Sequence, residues 1–147
     1  AVGSRGTILS RSNDGVWSET QAVVYGDLTG IAYNSSGTYI VIGTEGLVAR
    51  STDFVTWTRV APGIGYTLRS IDYYDGLFVI VGDNGTIIFS SDDGITWSIT
   101  NSTTSGNLKS VRYVNNNWIA VGEKGTVVVS TNGLDWPYYQ VYNAGIS

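Results

Sequence analysis

The side chains that could do chemistry in this sequence are carboxylates and guanidinium groups, because the chain contains no His and no Cys. Carboxylates act as general acids and bases, and a cluster of them can bind Ca²⁺. Asp92 and Asp93, together with Asp72 and Asp75, could supply oxygen ligands, but their spacing matches no dedicated calcium loop. Most acidic residues fall in segments typical of hairpin turns. We therefore predict no catalytic residue, no metal site and no cofactor.

Charge and composition exclude several classes of partner. The net charge is −4 and the isoelectric point is near 4.5, whereas proteins that bind phosphate backbones carry a basic surface. We therefore expect no nucleic-acid partner. No apolar run approaches the roughly 18 residues of a membrane span, so no membrane insertion is expected. Without Cys, disulfides and thiolate metal sites are excluded.

The sequence repeats with a period of about 40 residues. The tryptophans at 17, 57, 97 and 136 are 40, 40 and 39 residues apart. A Gly-x-x-Gly pair beginning at Gly3, Gly43, Gly82 and Gly122 keeps the same period. We divide the chain into a partial repeat, 1–27, and the repeats 28–67, 68–107 and 108–147 of a single repeat domain.

Each repeat is predicted to contain four short strands. In the second full repeat these are residues 68–73, 78–81 and 86–89 and a short strand after Trp97, separated by turns rich in Gly, Asn and Asp. A single sheet of this size cannot bury both of its faces, so the repeats must stack on one another. The predicted fold class is all-β, a propeller-like array of about four four-stranded blades with one blade incomplete.

Residues 90–97 read Ser-Ser-Asp-Asp-Gly-Ile-Thr-Trp, which resembles the Asp box of sialidases and of many non-enzymatic β-propellers. In that motif the Asp accepts backbone N–H bonds, the Gly supplies a positive φ, and the Trp packs between blades. The other three copies are degenerate and one residue shorter. The resemblance implies structural roles for Asp14, Trp17, Asp53, Trp57, Ser90, Asp92, Gly94, Trp97, Asn132 and Trp136, with the four periodic tryptophans in the core.

The same resemblance makes an Asp-box glycoside hydrolase an alternative function. Sialidases need six blades, three arginines that converge on a carboxylate, a Tyr–Glu nucleophile pair and an Asp acid/base. Here the arginines occupy repeat positions that do not correspond. Arg69 and Lys109 share an equivalent position on the first strand, but Thr29 holds it in the remaining repeat. We therefore expect a protein that is not an enzyme.

A ligand is expected at one end of the propeller. The Asp-box turns should lie at one end, while the turns between second and third strands and the loops between blades should lie at the other. That second end is the predicted ligand face. Its candidate residues are Arg5, Glu45, Tyr66, Asp83, Asn84, Asn107 and Lys124. Three sequons, at Asn34, Asn84 and Asn101, are potential glycosylation sites if a glycosylating cell secretes the protein.

The fuller repeat pattern also resembles propellers of two functional kinds. Likeness to phage tail fibres and bacterial surface proteins implies an extracellular, cell-surface or virion module for adhesion, receptor or glycan recognition, or fibre assembly. Likeness to photosystem II assembly-factor propellers implies an intracellular or lumenal scaffold for protein assembly. Because one blade is incomplete, we expect a second copy or a further propeller chain to complete it.

Overall fold

The computed structural model describes residues 1–21 and 25–141. Residues 22–24 and 142–147, which belong to the partial repeat and the last repeat, lie outside the described residues. The strands form four sheets. They are β1 (Thr7–Arg11) and β2 (Trp17–Gln21); β3 (Leu28–Tyr33), β4 (Tyr39–Gly43), β5 (Val48–Ser51) and β6 (Thr58–Val60); β7 (Leu68–Tyr74), β8 (Leu77–Gly82), β9 (Ile87–Ser90) and β10 (Ser98–Thr100); β11 (Leu108–Val114), β12 (Asn117–Gly122), β13 (Thr126–Ser130) and β14 (Tyr138–Val141).

Each larger sheet is an antiparallel meander of four strands in chain order. The prediction of an all-β fold built from four-stranded sheets is therefore confirmed. Tight turns join neighbouring strands because suitable residues stand where the backbone must turn. Between β7 and β8, for example, Asp75 and Gly76 have φ values of 45° and 85°, which is the left-handed region that a two-residue hairpin requires.

The first strands of the three larger sheets lie side by side. The Thr29 hydroxyl on β3 donates a hydrogen bond to the carbonyl oxygen of Leu68 on β7 at 2.5 Å. The backbone N–H of Val111 on β11 donates to the Ser70 hydroxyl on β7 at 3.2 Å. These strands are therefore the innermost of their sheets, and the other strands follow outward as they do in a propeller blade.

The hydrophobic core lies between adjacent sheets. One cluster joins Ile40 and Ile42 of the second sheet to Ile80 and Ile88 of the third, all of them fully buried. Another joins the third sheet to the fourth around Trp118. Strands β4 and β8 are buried on both faces, which explains why their sequences are almost continuously apolar. Each blade is thus stabilised by its neighbours.

Close backbone approach explains the Gly-x-x-Gly turns. Gly46 has a φ of 67°, and its N–H donates to the Tyr66 carbonyl oxygen at 2.9 Å. A Cβ at this position would overlap the carbonyl oxygen of Ile64. Gly43 similarly faces the carbonyl oxygen of Asp27. The two glycines therefore let the turn lie directly against the loops before and after its own blade.

The Asp-box hairpin at residues 90–97 is held by its own side chains. Asp92 accepts two hydrogen bonds from Thr96, one from the backbone N–H at 2.9 Å and one from the side-chain hydroxyl at 2.6 Å. The Ser90 hydroxyl donates to Asp92 at 2.7 Å and accepts the N–H of Gly94 at 2.9 Å. Gly94 has a φ of 77°, and Trp97 packs against the cluster that the second and third sheets share.

The expectation that all four periodic tryptophans are core residues is wrong for Trp17. Trp136 is 2% exposed and packs against the third sheet, whereas Trp17 is 57% exposed. The difference arises because the blade that precedes each of these tryptophans along the chain covers its side chain. Within the described residues no sheet precedes β1 and β2, so Trp17 has no such surface to pack against.

Candidate binding pocket on the innermost strands

Four of the predicted ligand-face residues occupy one repeated position. Arg5, Glu45, Asn84 and Lys124 are each the residue before the second glycine of a Gly-x-x-Gly turn, and their φ values are 55°, 54°, 57° and 55°. All four are exposed. The left-handed backbone places each turn against the neighbouring loops. The four side chains therefore lie at the tips of four separate turns.

The remaining ligand-face candidates lie beside those turns. The side-chain oxygen of Asn107 accepts the N–H of Asn84 at 2.9 Å, and the carbonyl oxygen of Tyr66 accepts a bond from the preceding blade's turn. Asp83 is hydrogen bonded to Arg69. The structure therefore brings Asp83, Asn84 and Asn107 together, but it does not gather all seven candidates into one pocket.

A pocket that sequence reasoning missed lies on the innermost strands. It has a volume of about 280 Å³ and opens between β3, β7 and β11. Three cationic side chains line it, together with Thr29, Gly30 and small polar or apolar neighbours. These cations are Arg69, Lys109 and Arg112. The signal in the sequence was the shared repeat position of Arg69 and Lys109, because equivalent residues on adjacent inner strands must be neighbours.

Arg69 is oriented by a carboxylate at the edge of the pocket. Its Nε donates to Oδ1 of Asp83 at 2.5 Å and its Nη2 donates to Oδ2 at 2.8 Å. This paired geometry fixes the plane of the guanidinium. The hydrogen bond with Arg69 holds the pKa of the Asp83 carboxyl below its usual range, and the same bond raises the pKa of Arg69.

Lys109 has an equivalent partner one blade further along. Its ammonium lies 2.8 Å from Oε1 of Glu123, and the Asn107 amide donates to both oxygens of that carboxylate at 3.2 Å. The hydrogen bond with Lys109, followed by that with Asn107, lowers the pKa of Glu123. Asp83 and Glu123 each follow the first glycine of a Gly-x-x-Gly turn. The turns therefore place the carboxylates that orient the cations.

Arg112 is the cation of the pocket that no carboxylate among the described residues neutralises. Its Nη1 donates to the carbonyl oxygen of Val111 at 2.7 Å and to the Ser70 hydroxyl at 3.4 Å. Among the described residues it forms no salt bridge. Three cations therefore line the pocket and two carboxylates pair with them at its edge, which leaves a local excess of positive charge in a protein of net charge −4.

An anionic group fits this arrangement of cations. The guanidinium of Arg112 retains donors that could bind a carboxylate in a bidentate manner. Among the described residues, no Tyr, Asp or Glu lines the pocket. Over residues 1–21 and 25–141 there is also no cluster of three or more acidic residues that could hold a metal ion.

The prediction of a glycosylation site at Asn34 is contradicted by the structure. Asn34 is 1% exposed; its amide donates to Oδ1 of Asp93 at 2.7 Å and its oxygen accepts the N–H of Thr38 at 2.8 Å. The side chain holds two turns together, and its buried amide leaves no room for a glycan in the folded protein. Asn84 and Asn101 are exposed, so those two sequons stay predictions.

Comparisons with known proteins identify the fold. No family model matches the chain, and no curated protein matches it significantly. A solved structure described as YCF48 bound to D1 peptide superposes with a TM-score of 0.70 at 13% identity, over 90% of this chain and 44% of that chain. YCF48 from Cyanidioschyzon merolae superposes with a TM-score of 0.64 at 23% identity, over 76% of this chain and 36% of that one.

These likenesses show that the chain has the fold of part of a β-propeller. The chain spans less than half the length of either YCF48 chain. In the part of the protein that the structure describes, no helix is long and apolar enough to cross a membrane.

Proposed function

We propose that this protein is a non-enzymatic β-propeller module that binds an acidic segment or a free carboxylate of a protein partner, as a scaffold for assembly. The observation that carries the proposal is the pocket of Arg69, Lys109 and Arg112 on the innermost strands. Two of these cations are held in place by carboxylates at its edge. Arg112 is left to pair with an incoming anion.

The fold supports this function over adhesion. The solved structures that it resembles are of YCF48, and one of them is bound to a peptide. The resemblance to photosystem II assembly-factor propellers is therefore better supported than the resemblance to tail fibres. Adhesion, glycan recognition and an extracellular or virion location stay predictions without support from the comparisons.

A further blade is a second proposed partner. Strand β8 of the third sheet is buried along both faces, whereas β12 of the fourth sheet is buried on one face only and leaves Val121 41% exposed. A sheet with an aliphatic outer face is stabilised when another sheet packs on it. We propose that a second copy of the chain or another propeller unit covers this face. Light scattering of the purified chain tests the second copy, because self-association would raise the molar mass above that of one chain.

Binding of an acidic segment can be measured by fluorescence anisotropy. The probe is a labelled hexapeptide of alternating glutamate and alanine with a free carboxyl terminus, and the matched peptide carries glutamine. We expect the glutamate peptide alone to bind. Replacing Arg112 removes a charge-assisted hydrogen bond worth about 1.5–3 kcal/mol, so Arg112→Gln should weaken binding by about tenfold or more.

The matched control for that experiment is Arg59→Gln. Arg59 is an exposed residue of β6, outside the pocket, so its replacement makes the same change in net charge. We expect this variant to bind as the unmodified protein does. Equal weakening by both variants would show that net charge alone causes binding, and the proposed function would then be wrong.

A further inference from the structure

We propose that the cleft between the second and third sheets is a separate binding site for a neutral saccharide. The cleft has a volume of about 350 Å³, at the lower end of the range of about 300–1,000 Å³ that is typical of small-molecule sites. It is bounded by the loop of residues 63–66, the turn of residues 84–86 and residues 99–104. The site goes beyond the proposed function, since it shares no residue with the cationic pocket.

The lining of this cleft is uncharged. Among the described residues, no Asp, Glu, Lys or Arg contributes to it. Side-chain amides and hydroxyls supply its polar groups instead. They come from Asn84, Thr86, Thr100, Asn101, Ser102 and Thr104. A charged ligand would find no counter-charge there, whereas a ligand whose polar groups are hydroxyls finds both donors and acceptors.

Thr86 provides an unused hydrogen-bonding group inside the cleft. The residue is 8% exposed, and its backbone N–H and carbonyl are bonded to Asp83 and Gly82. Its hydroxyl has no hydrogen-bond partner among the described residues, yet it is not sealed from solvent. A hydroxyl that no protein group engages can both donate and accept a hydrogen bond. A ligand hydroxyl in the cleft would supply one.

Tyr66 gives the cleft an aromatic surface. The residue is 51% exposed and lines the cleft, and its backbone carbonyl oxygen accepts the N–H of Gly46. An aromatic ring presents an apolar face with a polar tip, which suits the C–H face and the hydroxyl rim of a pyranose. Gly63 and Gly65 lie in the same wall with open space where a side chain would stand.

A short saccharide is favoured over a peptide by these polar groups. An extended peptide binds mainly through backbone hydrogen bonds to an open strand edge. The cleft instead presents side-chain amides and hydroxyls, of which the Thr100 hydroxyl is already bonded to the carbonyl oxygen of Leu134 in the next blade at 2.6 Å. The Asn84 amide and the Thr86 hydroxyl form no hydrogen bond to another described residue, and these two groups beside one aromatic ring match a sugar.

The test is a backbone-amide NMR titration of the whole chain with three neutral disaccharides: maltose, cellobiose and N,N′-diacetylchitobiose. We expect at least one to shift the resonances of Asn84, Thr86 and Asn101, with a dissociation constant on the order of 1 mM. Thr86→Val keeps the branched shape and removes the hydroxyl. This variant and Tyr66→Ala should each weaken binding by about fivefold or more, the loss expected for one hydrogen bond or aromatic contact.

The control variant is Tyr25→Ala, which removes a 90% exposed aromatic outside the cleft and should leave the affinity unchanged. No shift with any of the three sugars at concentrations of about 20 mM would overturn the inference. So would shifts that survive both cleft variants. The neutral peptide acetyl-Gly-Ile-Gly-amide is titrated alongside, and if it alone shifts the cleft residues, the site binds peptides and the inference is wrong.

Discussion

Asp72 and Tyr113 join two blades through one carboxylate. Oδ2 of Asp72 on β7 accepts the backbone N–H of Tyr113 on β11 at 2.9 Å, and Oδ1 accepts the N–H of Tyr73 on its own strand at 2.9 Å. One side chain thus satisfies a backbone donor in each of two adjacent inner strands. It helps to set the spacing of the strands that line the cationic pocket.

Asp72→Ala should destabilise the protein by about 1–3 kcal/mol, because it removes acceptors from N–H groups that are not fully solvated. Asp72→Asn, which retains one acceptor oxygen, should lose less. Urea denaturation followed by tryptophan fluorescence measures both changes. The control is Glu19→Ala, which alters an exposed residue of β2. If Asp72→Ala and Glu19→Ala have equal effects, the carboxylate does not join the blades.

Gly46→Ala tests the close approach of turn and loop. Its Cβ would overlap the carbonyl oxygen of Ile64, in addition to the strain of a φ of 67°. Gly76→Ala is the matched control, since Gly76 has a φ of 85° with open space around it. Left-handed strain alone costs about 1–2 kcal/mol. Thermal denaturation should show a clearly larger loss for Gly46→Ala, and equal losses would contradict the steric explanation.

Trp136 and Trp17 should respond very differently to truncation. Trp136 is 2% exposed between the third and fourth sheets, and Trp17 is 57% exposed. Trp136→Ala should cost about 3–5 kcal/mol, as a large buried side chain leaves a cavity. Trp17→Ala should cost much less in chemical denaturation. A similar loss for both would mean that Trp17 is covered in solution, for example by a further blade.

The Asp-box carboxylates should make the protein sensitive to acid. Burial raises the pKa of Asp92, but hydrogen bonds from Thr96 and Ser90 outweigh it and bring this pKa to about 2. Hydrogen bonds from Thr56, Val55 and Ser51 likewise lower the pKa of Asp53 to about 2. Because the unfolded value is about 3.9, their contribution is complete above about pH 4 and is lost as the pH falls towards 2.

Asp92→Asn should reduce this acid sensitivity. The structure already accommodates Asn at the equivalent place, where the oxygen of Asn132 accepts the N–H groups of Leu134 and Asp135 at 2.9 Å each. The variant should fold, and its denaturation midpoint should fall less steeply between about pH 4 and pH 2. An unchanged slope would show that Asp92 does not contribute.

The repeating parts of the fold could be predicted because each depends on local chemistry. The alternation of apolar strands with Gly, Asn and Asp turns is visible within every repeat, and residues 90–97 match their motif. Burial could be predicted only where a neighbour exists, as the contrast between Trp136 and Trp17 shows. Periodicity reports the position in a blade, whereas burial depends on what lies against that blade.

The cationic pocket escaped prediction because its residues come from different repeat positions. Arg69 and Lys109 share a position, but Arg112 stands where the preceding repeat has Asp72. The pocket exists because inner strands of adjacent blades lie side by side, which places side chains from distant parts of the chain together. Asn34 was misjudged for a related reason, since its partner Asp93 is 59 residues away.

The most direct test of the proposed function is to locate the bound acidic peptide. Backbone-amide NMR of the whole chain is titrated with the glutamate–alanine hexapeptide, and the Arg112→Gln variant is titrated in parallel. We predict shifts concentrated at Gly30, Arg69, Ser70, Lys109 and Arg112, which largely disappear in the variant. Shifts confined to the Asp-box turns, or unchanged by loss of Arg112, would contradict the proposal that this pocket binds an anionic segment of a partner.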